Sequence, residues 1–306
     1  MVEMEDFRGY LSDLGGPSAN MYAMGGHDKS ICAKCVRPSC LHPAPCKNLN
    51  NDHGPLLDIY NSVDALPGVK KSFIGSGVRY DLAMHPNRNE EVNRTNKRYL
   101  ESLVKSHVSG RLKVAPEHTS EKVLDCMRKP SFSLFYKFRR FFDDVNEKCG
   151  LKQQLIPYFI SSHPACEESD MAELAAITKD LNFHLEQVQD FTPTPMTLAT
   201  EIYYTGYHPY TLEKVFTARS EKEKLGQRQF FFWYKPEAKK DIINSLQRMG
   251  RKDLIDRLYG NGRIINSFSD RRNSYAVKKG TSRQGNFKGS KSNKQSDHKA
   301  SNRKVK

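Results

Sequence analysis

Short apolar runs alternate with amphipathic segments over roughly the first 190 residues of the chain. Five runs read as buried strands that end in polar residues or glycine: Tyr10–Leu14, Val69–Ile74, Arg111–Ala115, Leu155–Ile160 and His184–Val188. Between them, apolar residues at helical spacing predict helices around Tyr99, Leu100, Leu103 and Val104; around Val123, Leu124 and Met127, capped at Thr119 or Ser120; around Phe135, Phe138, Phe142 and Val145; and around Met171, Leu174, Ala175 and Leu181. This alternation predicts an α/β fold with a mostly parallel sheet, open or closed.

Polar residues follow each predicted strand. Ligands of such folds collect at the carboxyl ends of parallel strands, so these residues are the candidates for a site. They are Asp13, Gly15, Gly16, Ser76, Arg79, Asp81, Glu117, His118, Ser161, Ser162, His163, Gln187, Gln189 and Asp190.

The amino-acid composition changes beyond residue 190. Residues 191–210 are rich in Pro, Thr and Tyr, and two basic amphipathic segments follow, Leu212–Lys235 and Pro236–Tyr259. The second segment has the pattern of a helical hairpin or of one long helix. We therefore predict an α/β body over 1–190, a smaller C-terminal extension over 191–268 and a basic tail over 269–306.

Charge is concentrated in that tail. Of the net charge of +14 on 306 residues, residues 270–306 contribute 12 Lys and Arg against 2 Asp. The tail has almost no apolar residues to bury, which predicts disorder. It is either a solvated end or a weak, salt-sensitive contact for RNA.

The N-terminal residues lack the pattern of a signal peptide, and no apolar run approaches the length of a membrane span. We expect a cytoplasmic protein without membrane contact. In a reducing compartment, clustered cysteines indicate metal ligands rather than disulfides.

Four of the seven cysteines fall within one stretch, an insertion over residues 27–53. The spacing Cys32-x2-Cys35-x4-Cys40-x5-Cys46 offers four soft ligands for zinc or for an iron–sulfur cluster. Reduced thiols in a loop are the alternative. His42 and His53 are possible substitutes for one cysteine, although each taken singly is better explained as an ordinary loop histidine.

Other candidates carry weaker signals. Gly15 and Gly16 permit a close backbone approach to a ligand, but they equally suit a tight turn. The pairs Glu117-His118 and Ser162-His163 suit either acid–base chemistry or a structural role. The chain has no GxSxG, Walker or GxGxxG pattern, so hydrolase and P-loop functions have no support.

Six blocks, in order, resemble the YgiQ family of radical SAM proteins: DLGGPSANMY (13–22), the cysteine loop ending in PCKNLNNDH (45–53), GVKKSFIGSGVRYDL (68–82), HVSGRLKVAPEH (107–118), LIPYFISSHP (155–164) and QVQDFTPTPM (187–196). The resemblance covers about residues 5–210, and the family's C-terminal extension corresponds to 211–268. It implies a partial TIM-type barrel that holds a [4Fe–4S] cluster and S-adenosylmethionine and cleaves the latter reductively to a 5′-deoxyadenosyl radical. The cofactor-binding residues that it implies are Gly15, Gly16, Ser76, Glu117, Ser161 and Gln187.

The chain departs from that superfamily at the catalytic cluster. The superfamily holds its cluster with a CxxxCxxC motif after the first barrel strand, and this spacing occurs nowhere in the chain. Gly15-Gly16 resembles the glycine pair after the second barrel strand, which receives the amino group of the cofactor, although Pro17 replaces a common Glu. We therefore expect strands two to six of the barrel, a C-terminal fragment that is inactive alone, and an N-terminal fragment as a partner in trans.

Three interpretations remain at this point. The first is a radical SAM-type iron–sulfur protein of unknown substrate that needs its missing portion. The second is a non-catalytic, metal-stapled α/β binding protein whose basic tail contacts RNA. The third is a fragment without independent function. In the first, the cysteine loop is an auxiliary metal site, distinct from the radical-generating cluster, and in the second it is a zinc site that stabilises the α/β domain.

Overall fold

The computed structural model describes residues 2–14, 18–186 and 188–260. The predicted tail over 269–306 lies outside the described residues, as do Gly15, Gly16 and Gln187. The structure is a mixed α/β fold, as the alternation of apolar runs predicted.

Parallel pairing dominates the sheets. Strands β1 (Tyr10–Ser12) and β4 (Lys71–Phe73) form one parallel pair, and β5 (Arg111–Glu117), β6 (Gln154–Ser161) and β7 (Val188–Asp190) form a parallel sheet in that order. A short antiparallel pair, β2 (Gly25–Gly26) and β3 (Leu49–Asn50), lies apart from both. Four of the five predicted strands are thereby confirmed within a few residues.

One bridge connects the two parallel units, and another extends the pairing of β1 with β4. Val78 pairs in parallel with Val114 of β5, and its backbone N–H donates to the carbonyl of Lys113 at 3.1 Å. Ser18 pairs in parallel with Gly77. The chain after β4 therefore continues alongside β5, and the carboxyl ends of β1, β4, β5, β6 and β7 follow one another. The described residues form no closed barrel, and a partial TIM-type barrel stays a prediction.

The helices bury the predicted apolar faces. The helices of the body are α1 (Lys29–Ala33), α2 (Gly54–Asp64), α3 (Tyr80–Met84), α4 (Glu90–Ser102), α5 (Glu121–Cys126), α6 (Ser133–Lys148) and α7 (Glu168–Asp180), and α4 continues into a π-helical turn, Leu103–His107. The aromatic stripe of α6 lies in the core, where Phe135, Phe138 and Phe142 are at most 1% exposed. Burial of such large rings is the main source of stability for the body.

The last predicted strand was misplaced. We expected a strand over His184–Val188, but the strand begins at Val188 and continues to Asp190. Leu185 is apolar because it is buried in the core. Its carbonyl accepts the hydroxyl of Tyr234 at 3.0 Å. A tertiary contact from the extension thus explains an apolar position that resembled a strand.

The extension is helical and packs on α7. It contains α8 (Leu198–Thr205), α9 (Glu221–Arg228), a 3-10 turn (Gln229–Phe232), α10 (Pro236–Arg248) and α11 (Lys252–Tyr259). The hairpin alternative is therefore correct for the second segment, since the chain turns between α10 and α11 at Gly250, with φ of 70°. In the first segment, only the part from Glu221 onward is helical. Lys179 of α7 donates to the carbonyls of Arg257 and Leu258, at 2.7 and 2.6 Å.

No helix in the described ranges combines the length and the apolarity that a membrane crossing requires. The domain boundaries at residues 190 and 268 and the cytoplasmic location stay predictions.

Candidate functional site

Asp13, at the end of β1, holds the residues that follow β4. Its Oδ1 accepts the backbone N–H groups of Gly75 and Ser76, at 2.9 and 2.8 Å, and the hydroxyl of Ser76 at 2.8 Å. Burial disfavours the charged carboxylate, but the hydrogen bonds from Ser76 and Gly75 outweigh it and lower the pKa of Asp13. Asp13 is therefore an anion that fixes the position of Ser76.

Glu117 ends β5 in a left-handed backbone conformation, with φ of 67°. Its carboxylate accepts the ammonium of Lys129 at 3.0 Å. Arg79 directly follows the bridge residue Val78. Its guanidinium donates through two nitrogens to both oxygens of the buried Asp81, at 2.9 and 2.6 Å. The carboxylates of Glu117 and Asp81 thus each have a cationic partner.

Ser161 ends β6 and is fully buried. Its hydroxyl donates to Oδ1 of Asp190, which ends the neighbouring strand β7. The other oxygen of Asp190 accepts from Arg228 of α9 at 2.6 Å. A chain of contacts therefore runs from the extension to the carboxyl end of β6.

Gln227, the neighbour of Arg228, makes a second connection. Its Oε1 accepts the backbone N–H of Ser162 at 2.7 Å, and its Nε2 donates to the carbonyl of Cys166 at 2.7 Å. Gln227 is 1% exposed, so both hydrogen bonds are shielded from water. Ser162 has φ of 61°, and the side chain of Gln227 holds its unusual backbone conformation.

The structure thus places three predicted site residues on one edge. Ser76, Glu117 and Ser161 each follow or end a strand, and the strands are neighbours in the parallel order. The hydroxyls of Thr119 and Ser162, also at this edge, are buried without a hydrogen-bond partner among the described residues. Such hydroxyls are free to donate to a polar ligand.

Neither predicted acid–base pair forms as such. The carboxylate of Glu117 contacts Lys129, whereas His118 lies against Cys166, with 3.4 Å between Nε2 and Sγ. Burial lowers the pKa of His118 and of His163 to about 4. Burial also raises the pKa of the Cys166 thiol. All three side chains are therefore neutral at pH 7, which supports the structural alternative for both histidines.

The cysteine loop has a closed base. Strands β2 and β3 pair at its two ends, and Asp28 and Asn48 exchange hydrogen bonds of 2.9 Å. The thiols of Cys32 and Cys35 accept hydrogen bonds from Asn48 Nδ2 at 3.3 Å and from the Arg37 N–H at 3.4 Å. Protein contacts alone therefore order the base of the loop.

The loop does not present an assembled metal centre. Cys32, Cys35 and Cys40 are exposed and Cys46 is half-buried. Over the residues that the structure describes, no three His, Cys, Asp or Glu side chains are grouped so that they hold a metal ion. The predicted zinc or iron–sulfur site at these four cysteines stays a prediction.

The two histidines of the loop differ. His53 is fully buried, and its ring nitrogens lie 2.9 Å from Asn20 Nδ2 and 3.0 Å from Asn96 Oδ1. Both nitrogens are thus engaged by protein groups, so His53 serves the packing of the loop and not a metal. His42 instead faces Asp125 of α5, with 4.0 Å between Nδ1 and Oδ1.

The tip of the loop rests on α5 and on the turn after α8. Arg128 donates to the carbonyl of Pro38 at 2.8 Å, and its guanidinium lies 5.6 Å from the ring centroid of Tyr210. A cavity of about 690 Å³ lies between these parts, and a second one of about 270 Å³ lies between the loop and the segment 121–134. His42, Pro43 and Asp125 line both cavities. No sequence pattern marks Arg128 or Tyr210 as site residues. Gln227 and Arg228 were missed because they read as one polar face of a basic helix.

Comparison with known proteins gives homology but no activity. Residues 186–306 match the profile of the family described as "Domain of unknown function (DUF3362)". A UPF0313 protein of Bacteroides thetaiotaomicron is 66% identical over 260 residues, which are 85% of this chain and 42% of the relative. UPF0313 proteins of Porphyromonas gingivalis and Methanocella arvoryzae are 59% and 43% identical, over 89% and 87% of this chain and 42% of each relative. The chain thus spans less than half the length of the curated relatives that it matches.

Proposed function

We propose, on the basis of this homology to UPF0313 proteins, that the chain provides the cofactor-facing strand ends of a radical SAM-type iron–sulfur protein of unknown substrate. The observation that carries the proposal is the alignment of Ser76, Glu117 and Ser161 at the carboxyl ends of neighbouring parallel strands. Ligands of parallel α/β folds bind at that edge. The order of the six sequence blocks that resemble the YgiQ family supports the same assignment.

The residues of this chain do not fit the catalytic cluster. The sequence has no CxxxCxxC motif, and the described side chains include no group arranged as metal ligands. We therefore assign no chemical step to this chain by itself. Reductive cleavage of S-adenosylmethionine requires cluster ligands from a further segment, for which the unmatched length of the relatives is the proposed source.

The strand ends do fit a polar ligand. The hydroxyls of Thr119 and Ser162, which are buried without a hydrogen-bond partner among the described residues, follow the ends of β5 and β6. Asp13 fixes Ser76, Lys129 fixes Glu117, and Arg228 fixes Ser161 through Asp190. This wall suits the amino-acid and ribose groups of S-adenosylmethionine, with Gly15, Gly16 and Gln187 as the proposed remaining contacts.

Complementation in trans tests the proposal. The chain is expressed alone and together with the part of the Bacteroides relative that this chain does not match, and both preparations are reconstituted anaerobically with iron and sulfide. We expect additional iron and 5′-deoxyadenosine only from the combination. Formation of 5′-deoxyadenosine by the chain alone would contradict the proposed need for a further segment. Its absence from the combination, with bound zinc, favours the non-catalytic, metal-stapled binding protein.

A further inference from the structure

The larger cavity, which we call the loop groove, contains the chemical groups of a nucleotide site. Its volume is about 690 Å³, within the range of roughly 300–1,000 Å³ that small-molecule sites occupy. One wall is the cysteine loop, and the other consists of α5 and the turn after α8. Its lining includes the side chains of Arg37, His42, Asp125, Arg128, His208 and Tyr210.

Two guanidinium groups in the loop groove have no anionic partner. Arg37 donates to the carbonyls of Ser39 and Ala44, and Arg128 donates to the carbonyl of Pro38. Carbonyl oxygens orient a guanidinium without neutralising its charge. None of the ion pairs among the described residues includes Arg37 or Arg128. The groove therefore presents two oriented positive charges, and guanidinium groups bind phosphate through two parallel hydrogen bonds.

The backbone at Arg128 is strained, which marks the position. Arg128 follows the end of α5 in a left-handed conformation, with φ of 57°, where glycine is favoured. A side chain at such a position costs on the order of 1 kcal/mol. The fold thus places an arginine where its backbone conformation is unfavourable, and the side chain extends from the end of α5 to the carbonyl of Pro38 in the cysteine loop.

Tyr210 supplies an aromatic surface. It is 72% exposed, and Arg128 lies over its ring. The ring of His208 accepts the backbone N–H groups of Tyr210 and Thr211 at 3.3 Å, which orders the turn that carries the tyrosine. An exposed and ordered ring beside arginine is the arrangement that stacks nucleobases.

Asp125 adds a hydrogen-bond acceptor to the lining of the loop groove. Its carboxylate is 68% exposed, lies 4.0 Å from His42 and forms no ion pair with Arg128 in the described part of the chain. A carboxylate at this place repels a phosphate but accepts hydrogen bonds from ribose hydroxyls.

We propose that the loop groove binds a nucleotide, with its phosphate on Arg37 and Arg128, its ribose on Asp125 and its base on Tyr210. This inference is independent of the radical SAM assignment. The nucleotide is either a free nucleoside phosphate or one unit of an RNA strand. The two share the same chemistry, and the experiment below separates them.

Calorimetry on the full chain tests the site with AMP, adenosine and inorganic phosphate. We expect saturable binding of AMP and weaker binding of the other two. Tyr210→Leu should weaken AMP binding about tenfold through loss of stacking, whereas Tyr210→Phe should preserve it. Arg128→Gln should also weaken AMP binding about tenfold. Arg94→Gln, an exposed arginine on α4, is the matched control.

A hexameric oligoadenylate identifies the source of the nucleotide. Tighter binding of the hexamer than of AMP, with the same dependence on Tyr210, indicates RNA, and equal binding indicates a free nucleotide. The tail is common to all variants, so its contribution cancels. The proposal is overturned if AMP and the hexamer bind Tyr210→Leu and Arg128→Gln as tightly as Arg94→Gln. Equal affinity for adenosine and AMP, or no saturable binding of either probe, also overturns it. Arg128 also donates a hydrogen bond to the loop, so Arg128→Gln could disturb folding. In that event the affinity of Tyr210→Leu for AMP and for the hexamer is the test of the proposal.

Discussion

The side chain of Gln227 in α9 accepts the backbone N–H of Ser162, at 2.7 Å, and thereby joins the extension to the end of β6. The same amide donates to the carbonyl of Cys166 at 2.7 Å. Since Arg228 contacts Asp190 from the adjacent position, two consecutive residues of the extension hold the ends of two strands. The extension therefore helps to shape the candidate site.

Replacement of Gln227 by alanine should destabilise the protein. Both backbone groups would lose their partner in a buried place, and each unsatisfied group costs about 1–3 kcal/mol. We expect a decrease of about 2–4 kcal/mol in the free energy of unfolding. Urea denaturation measures the decrease, and the exposed Gln247→Ala is the matched control. Equal stability of the two variants would show that the connection contributes nothing.

The acid sensitivity of the fold should depend on His163. Burial lowers the pKa of His118 and of His163 to about 4, from the usual 6.5, so the folded protein binds fewer protons than the unfolded chain between these values. Stability is therefore full above pH 6.5 and falls as the pH decreases toward 4. The expected slope is about 1.4 kcal/mol per pH unit for each group.

Denaturation curves at several pH values test this slope. His163→Gln should be less stable at pH 7, because the packing changes, but its stability should decline less steeply between pH 6.5 and 4. The exposed His27→Gln should keep the slope of the parent protein. An unchanged slope in His163→Gln would contradict a pKa lowered by burial.

Asp13 should stabilise the fold as a charged group. Hydrogen bonds from Ser76 and Gly75 lower its pKa below 3.8 despite partial burial, so its contribution is present above the unfolded pKa and is lost as the pH falls through the folded pKa. Asp13→Asn keeps an acceptor but loses the charge. We expect a loss of about 1 kcal/mol at pH 7, since solvent screens part of the effect.

The difference in the free energy of unfolding between the parent protein and Asp13→Asn should decrease at acidic pH. As the pH falls from 3.8 through the lower pKa of folded Asp13, the parent protein loses the contribution of this charge, so the difference in the free energy of unfolding between the two proteins should approach zero. Asp144→Asn, at an exposed position of α6, controls for net charge. A difference that stays constant down to the folded pKa would show that Asp13 acts only through geometry.

Local sequence patterns predicted the strand ends that carry the site, but they did not predict the contacts between residues that are distant in sequence. Ser76, Glu117 and Ser161 could be placed at strand ends because each follows an apolar run, and the core stripe of α6 was visible in the spacing of Phe135 and Phe138. The contact of Arg228 with Asp190 joins positions 38 residues apart, and no periodic pattern encodes such a pair. The strand predicted at His184 failed for the same reason, since Tyr234 from the extension takes the carbonyl of Leu185.

Cysteine substitutions test the predicted metal in the loop. Four thiolates should hold about one zinc ion, or a cluster with up to about four irons, after anaerobic purification. Cys46→Ser should lower the metal content measured by mass spectrometry, and the exposed Cys149→Ser, outside the loop, should not.

Because Asp28, Asn48 and the β2–β3 pair close the base of the loop, metal removal should loosen only its tip. We therefore expect faster proteolysis near Cys40 in the presence of a chelator, with thermal unfolding of the body unchanged. Equal metal content in Cys46→Ser and the parent protein would place the metal elsewhere, and a large fall in the unfolding temperature would mean that the loop supports the core.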